Sequence, residues 1–308
     1  MKPARTVCLS DGRTLAYAEW GDPDGSPVIE CHGNPGCRVL VWDEDVAARL
    51  GVRLITADRP GIGRSSPKPR RSVADWATDV GELCDAIGIE HVSLLGYSVG
   101  GAYACGCAGR LGDRVASMAL VGSIVPLDRP DAFAKLGRPL QWRLARDRPA
   151  LARGVSAVQA FLGRLPLWAL RRPAMARLPA ADRAVLDNDP CIFERGAAMA
   201  TEAIRQGTGG LVEDLRVAMR PWGVELASIA VPTTVWQGDQ DRSIPVAWGE
   251  QLAVSIPGAQ LRLRRGEGHL MIASNLEAIL EDLLHRRSAV PVERAPDHHR
   301  SDSEDSDC

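Results

Sequence analysis

The stretch VSLLGYSVGGAYA, residues 92–104, restricts the fold of this 308-residue chain more than any other. Val92, Leu94 and Leu95 make a short apolar run of the kind that fills the interior of a parallel sheet. Gly96, Gly100, Gly101, Ala102 and Ala104 follow, small residues that let one backbone segment pass close to another. Within it, Gly96, Tyr97, Ser98, Val99 and Gly100 fit the pattern G-x-S-x-G. Two readings compete: Ser98 is a nucleophile at a sharp strand-to-helix turn, or it is a small polar residue where segments cross closely. Three fixed positions in five recur by chance, so the rest of the chain must decide.

Apolar or β-branched runs recur at 15–20, 28–31, 53–57, 92–96, 115–121, 233–237 and 260–264. Segments of helical periodicity lie between many of them. In 72–88, Ser72 is placed as an N-cap, Val73, Trp76, Val80, Leu83 and Ile87 recur at three- or four-residue spacing, and Gly88 ends the pattern. Strands alternating with helices predict an α/β fold with a mostly parallel central sheet flanked by helices, its first strands open to antiparallel pairing. Between Pro126 and Trp222 no strand pattern occurs, although a crossover between parallel strands needs only about a dozen residues. The predicted organisation is therefore a core of residues 1–125 and 223–287, a helical cap inserted at 126–222, and a disordered acidic tail at 288–308, where His298 and His299 are read as solvated.

Composition removes several classes of function. A formal net charge of −2 and a pI near 6.3 give no basic excess with which to capture nucleic acid. The N-terminus lacks the pattern of a secretory signal and no run is long and apolar enough to span a bilayer, so a cytoplasmic protein without membrane contact is expected. The eight cysteines are dispersed, and Cys105 and Cys107 have neither redox nor zinc spacing. No metal, disulfide framework or cofactor is expected.

A serine that attacks a carbonyl needs a base, an acid to orient that base, and donors for the oxyanion. Candidates follow the C-terminal ends of predicted strands, the edge where open α/β sheets assemble their chemistry. GDQDRSIP (238–245) supplies Asp241 as acid, with Asp239 as the alternative and Asp128 a more distant one; RRGEGHLMI (264–272) supplies His269 as base. In VIECHGNPG (28–36), Pro35 has no N–H. Asn34 is left to donate its backbone N–H alongside that of Val99.

HGNPG (32–36), DRPGIGRSSP (58–67), GYSVGG (96–101), GDQDRSIP (238–245) and GEGH (266–269) together resemble the α/β-hydrolase fold superfamily. The likeness runs from about residue 12 to 287 and is to the cap-bearing group that includes carboxylesterases, proline iminopeptidases and haloalkane dehalogenases. It implies Ser98 as nucleophile, Asp241 as triad acid, His269 as general base, and Asn34 and Val99 as oxyanion donors. His32 then braces its loop, and Asp58 and Arg59 are scaffold. Dehalogenases and epoxide hydrolases need a carboxylate where this chain has Ser98. Proline iminopeptidases resemble it through HGNPG and DRPGIGRS, whose usual forms there are HGGPG and DQRG, and hold the substrate amine with cap glutamates, but Glu194, Glu202 and Glu213 lack the tryptophan–glutamate setting. The resemblance thus implies a serine esterase of the carboxylic-ester hydrolase class, acting on an ester, thioester or lactone of a small to medium acyl group through an acyl-enzyme. A peptidase is the runner-up, followed by a biosynthetic acyl-transfer enzyme or cyclase and a ligand-binding descendant.

The cap carries 16 Lys/Arg against 10 Asp/Glu. This excess is either a set of solvated arginine faces or an attractor for an anionic acyl group or an acidic carrier protein. Phe133, Trp142, Phe161, Trp168, Phe193 and Trp222 are either cap core or the wall of a substrate pocket. The cap is expected to set selectivity while leaving the bond-breaking residues alone.

Overall fold

The computed structural model describes residues 3–128, 133, 139–162 and 165–288. Eight strands form one sheet: β1 (Arg5–Cys8), β2 (Thr14–Gly21), β3 (Ser26–Cys31), β4 (Val52–Ala57), β5 (Val92–Tyr97), β6 (Val115–Val121), β7 (Thr233–Gly238) and β8 (Gln260–Arg264). Their spatial order is β1-β2-β4-β3-β5-β6-β7-β8, with β2 antiparallel to both its neighbours and all other pairs parallel. The sequence did not signal β1: its four residues are mostly exposed and carry no apolar alternation. That strand forms because the turn at 9–13 folds it back onto β2.

Cys31 is level with Gly96, Tyr97 with Val121, and Val121 with Trp236, so the parallel strands end along one edge. Every candidate loop emerges there. β5 and β6 are buried along their whole length, as strands covered on both faces must be.

Each face of the sheet has its own core. α2 (Val73–Ala86), α3 (Gly100–Leu111) and α10 (Val246–Ser255) cover one face, where Val80, Leu83, Trp248 and Leu252 meet Ile29, Leu94 and Leu120. α1 (Glu44–Arg49) and α11 (Met271–Ser288) cover the other, where Ala47, Ile279 and Leu283 meet Val28, Leu54 and Leu95. The start of α2 is fixed by a reciprocal capping box between Ser72 and Asp75, and Gly88, at φ +71°, follows its end.

Between β6 and β7 the regular structure among the described residues is helical: α4 (Pro139–Asp147), α5 (Pro149–Leu162), α6 (Leu167–Arg177), α7 (Ala180–Asn188), α8 (Pro190–Ala203), α9 (Gly209–Ala218) and a 3-10 turn at Leu226–Ser228. These helices join both cores. Trp142 and Leu215 enter the first, and Leu186, Ile192 and Met199 the second. The six aromatic residues of this segment divide accordingly: Phe133, Trp142 and Trp222 are buried, Phe193 packs partly on the second core, and Phe161 and Trp168 are exposed. Residues 129–132, 134–138, 163–164 and 289–308 lie outside the described residues, and with them all of the expected acidic tail but Ser288. No described helix is long and apolar enough to cross a membrane.

Leu94 is fully buried in the central strand, whereas Val254 is 88% exposed. Leu94→Ala is expected to lower unfolding free energy by about 2–5 kcal/mol in denaturant titrations, against less than about 0.5 kcal/mol for Val254→Ala. Equal losses would contradict this division between core and surface.

Candidate active site

At the end of β5 the chain turns so sharply that Ser98 takes φ +55°, the left-handed region that side chains with a Cβ avoid. Surrounding contacts hold it there. Ser98 N–H donates to Val121 O at 3.0 Å, and the Ser98 carbonyl accepts from Gly101 N and Ile124 N. The flanking glycines have steric causes. A Cβ on Gly96 would come within 2.8 Å of the Ala104 Cβ, and one on Gly100 would lie 1.7 Å from the Cys31 carbonyl oxygen. Only a residue without a side chain fits there, because α3 starts against the backbone that leads into His32.

Ser98 faces His269. The Oγ is 3.1 Å from His269 Nε2, and His269 Nδ1 is 2.7 Å from Asp241 Oδ2. Asp241 has no side-chain exposure and His269 is 16% exposed. The other carboxylate oxygen of Asp241 accepts from Ser243 N at 2.7 Å and Ile244 N at 2.8 Å. Asp241 therefore enters the histidine contact already fixed by its own turn. Asp239 accepts instead from Gly266 N at 2.7 Å and ties the β7 loop to the β8 loop, while Asp128 is exposed.

Across the serine stands the loop 32–36. Its Asn34–Pro35 peptide is cis, and among the described residues neither the Asn34 nor the Val99 N–H has a backbone acceptor. Gly33 sits directly on the elbow, where a Cβ would approach Ser98 Cβ to 3.3 Å. Arg59 clamps this loop from beneath, donating to His32 O at 2.6 Å and Gly33 O at 3.0 Å. It is held in turn by both oxygens of Asp214 on α9, at 2.8 Å each. Asp214 also receives Arg71, the Tyr103 hydroxyl and the Asn34 amide. Burial alone would raise the Asp214 pKa, but Arg59 and Arg71 outweigh it and hold that carboxyl far below the usual range. His32 is buried, with Nδ1 on the Gly33 carbonyl at 2.9 Å. Burial, with the positive charge of Arg59, pushes its pKa down to about 3, so it stays neutral and braces the loop.

Several residues of the site left no signal in the sequence. Tyr97 stacks on His269 with ring centroids 5.1 Å apart and donates its hydroxyl to the His269 carbonyl at 3.2 Å. Trp42 meets Tyr97 edge-on and donates to Glu30 at 3.0 Å. Asp182 on α7 receives Leu270 N–H at 2.8 Å. The glutamates between β6 and β7 are otherwise engaged or solvated: Glu202 pairs with Arg38 and Arg64, Glu213 pairs with Arg216 and Arg220, and Glu194 is exposed. Trp168, Arg171, Arg172, Met175, Arg183 and Asp187 line an open groove on the surface, with Arg171 paired to Asp187 at 3.4 Å. Among the described residues no group of three or more His, Cys, Asp or Glu is arranged to hold a metal ion.

The family model of the alpha/beta hydrolase fold matches residues 26–276. The chain belongs to that family. It is 27% identical over 283 residues to a non-heme haloperoxidase of Rhodococcus erythropolis, covering 90% of this chain and 97% of that protein. It is 28% identical over 285 residues to a non-heme chloroperoxidase of Streptomyces lividans, covering 91% and 98%. Among solved structures, a thermophilic esterase from Thermogutta terrifontis shares the fold with a TM-score of 0.67 at 24% identity, over 93% of this chain and 99% of that one.

Glu30, fully buried beside this site, has one oxygen without a partner among the described residues. Burial, only partly opposed by the Trp42 hydrogen bond, pushes its pKa up to about 7 from 4.5. The folded state thus holds this proton more tightly than the unfolded chain. Its contribution to stability is complete below pH 4.5 and is lost as pH rises through 7. Glu30→Gln, which removes the titration, is expected to gain on the wild type between pH 5 and 8 by roughly 3 kcal/mol in denaturant titrations. A difference independent of pH would contradict the assignment.

Proposed function

We propose that the protein is a serine hydrolase that cleaves a carboxylic ester, thioester or lactone of a small to medium acyl group through an acyl-enzyme. The observation that carries the reading is the unbroken hydrogen-bonded chain from Ser98 through His269 to Asp241, starting at a serine held at φ +55°. His269 takes the Ser98 proton as Oγ attacks the carbonyl carbon. Asp241 fixes the ring orientation and stabilises the imidazolium. The backbone N–H groups of Asn34 and Val99 receive the oxyanion, the second helped by the N-terminal end of α3. The tetrahedral intermediate collapses, His269 hands its proton to the departing alcohol, and water, activated the same way, releases the acid. No cofactor enters this sequence.

Residues 126–222 act in this reading as a cap that selects the acyl group, with the core at 1–125 and 223–287. In the same reading the groove at Trp168, Arg171, Arg172 and Arg183, where Asp187 pairs with Arg171 and a net positive charge remains, attracts anionic acyl substrates, or an acidic carrier that delivers them. The buried thiols Cys31, Cys37, Cys84, Cys105 and Cys107 suit a cytoplasmic location. Peptidase action is disfavoured because Glu202 and Glu213 are already paired with arginines. A second reading has support in the name of another relative, a bifunctional esterase/perhydrolase of Acinetobacter calcoaceticus: the acyl group of the same acyl-enzyme passes to hydrogen peroxide, yielding a peracid and free Ser98.

Purified protein offered p-nitrophenyl esters, acyl thioesters, a lactone and a proline arylamide is expected to turn over the esters, and a fluorophosphonate probe to label wild type but not Ser98→Ala. Labelling that survives in Ser98→Ala, or a preference for the arylamide, would overturn the reading. Asp241→Asn should lower kcat by roughly 10⁴-fold and Asp239→Asn far less; the reverse ranking would reassign the acid. Adding hydrogen peroxide and measuring peracid separates the two acyl acceptors.

For the groove, Arg171→Glu with Arg172→Glu should lower kcat/KM for anionic esters more than for neutral ones, with a gap that closes as salt is added. An equal effect on both would return these arginines to plain surface.

A further inference from the structure

The peptide bond that joins His269 to Leu270 is gripped at both ends. Its carbonyl accepts the Tyr97 hydroxyl at 3.2 Å, and its N–H donates to Asp182 Oδ1 at 2.8 Å. Tyr97 immediately precedes the nucleophilic elbow, whereas Asp182 comes from α7, 88 residues earlier in the chain. The second grip meets a specific need. α11 begins at Met271, and the residues leading into it are Gly268, His269 and Leu270, none of which can cap a helix with its own side chain. Asp182, from a distant segment, takes the Leu270 N–H just ahead of the helix, its negative charge near the positive end.

The carboxylate is buried directly against Gly268. Asp182 is 3% exposed, and a Cβ on Gly268 would fall 2.3 Å from its Oδ1 and 2.8 Å from its Cγ. Burial raises the Asp182 pKa, opposed by the Leu270 N–H and by His269.

We propose that Asp182 is a positioning residue for the general base: by holding the Leu270 N–H against the opposing grip of Tyr97, it fixes the backbone of His269 and so the aim of the imidazole at Ser98. This rests on the reading of His269 as the base. The helices between β6 and β7 then support the bond-breaking residues as well, and replacing them would slow the reaction of Ser98, whereas the expectation from sequence is that they act on selectivity alone.

Asp182→Ala, Asp182→Asn, Gly268→Ala and the double variant Asp182→Ala/Gly268→Ala test the proposal. Each is measured for kcat and KM on a short p-nitrophenyl ester, for the rate of Ser98 phosphonylation, and for amide exchange in the peptide 265–272. Asp182→Ala should lower kcat and the phosphonylation rate about 10- to 100-fold, as a small misplacement of a catalytic group does, with KM within about twofold. Asp182→Asn keeps an oxygen that accepts the same bond and should recover most of the loss. Gly268→Ala should be comparably damaging in wild type and add little in the Asp182→Ala background, because the clash it introduces is with that carboxylate. Exchange at 265–272 should quicken in Asp182→Ala and return to the wild-type rate in Asp182→Asn.

A folded Asp182→Ala protein with wild-type kcat, an Asn variant no better than Ala, losses that multiply in the double variant, or unchanged exchange would each overturn the proposal. Failure of wild type to react with the phosphonate would instead sink the functional reading, and exchange would still decide whether Asp182 holds the loop.

Discussion

The molecule is organised around one close approach of backbone to backbone, where α3 starts against the carbonyl of Cys31 with space for no side chain at Gly100. This contact forces the chain into a tight turn after Tyr97 and leaves Ser98 at positive φ. It also presses the loop that begins at His32 against the serine. A non-glycine residue held in the left-handed region costs of order 1–3 kcal/mol. The bonds from Ser98 to β6 and the apolar packing on both sides of β5 offset that cost. The elbow is thus a local strain sustained by the best-buried part of the sheet.

Buried charge extends the same constraint outward. Arg59 and Asp214 are both removed from water, which would be costly without full hydrogen bonding. Arg59 makes bonds to Asp214, His32 O and Gly33 O and lies 4.4 Å from the centre of the Tyr103 ring, and Asp214 is surrounded by donors. The pair joins α9 to the loop that faces Ser98. Arg38, Asp58 and Glu202 make a second such joint between the core and α8. With Asp182 on the histidine loop, three buried carboxylates from the helices between β6 and β7 reach the sheet edge where the candidate site lies.

Much of this was legible in the sequence, for physical reasons. Period and turn chemistry revealed seven of the strands and both ends of α2, since those signals are local. β1 was missed because pairing with β2, rather than its own side chains, makes it a strand. Ser98 and His269 could be singled out because their motifs follow strand ends in one order along the chain. Asp241 was preferred to Asp239 by its place before RSIP in the resemblance, and the structure adds a physical ground: its turn spends one oxygen of Asp241 on Ser243 and Ile244 and leaves the other for His269. Tyr97, Asp182 and Asp214 were illegible because their roles depend on partners between 88 and 180 residues away. Periodicity alone likewise treats alike the buried Trp142 and the exposed Trp168.

The central claim is that Ser98 carries the acyl group during turnover. Rapid-quench mass spectrometry of the protein mixed with a p-nitrophenyl ester measures this directly. The account predicts a burst of p-nitrophenol equal to one per protein molecule, and an acyl mass increment on the peptide containing Ser98 that appears with the burst and decays as the ester is consumed. Steady turnover with no covalent species at any quench time, or an acyl group on another residue, would contradict it.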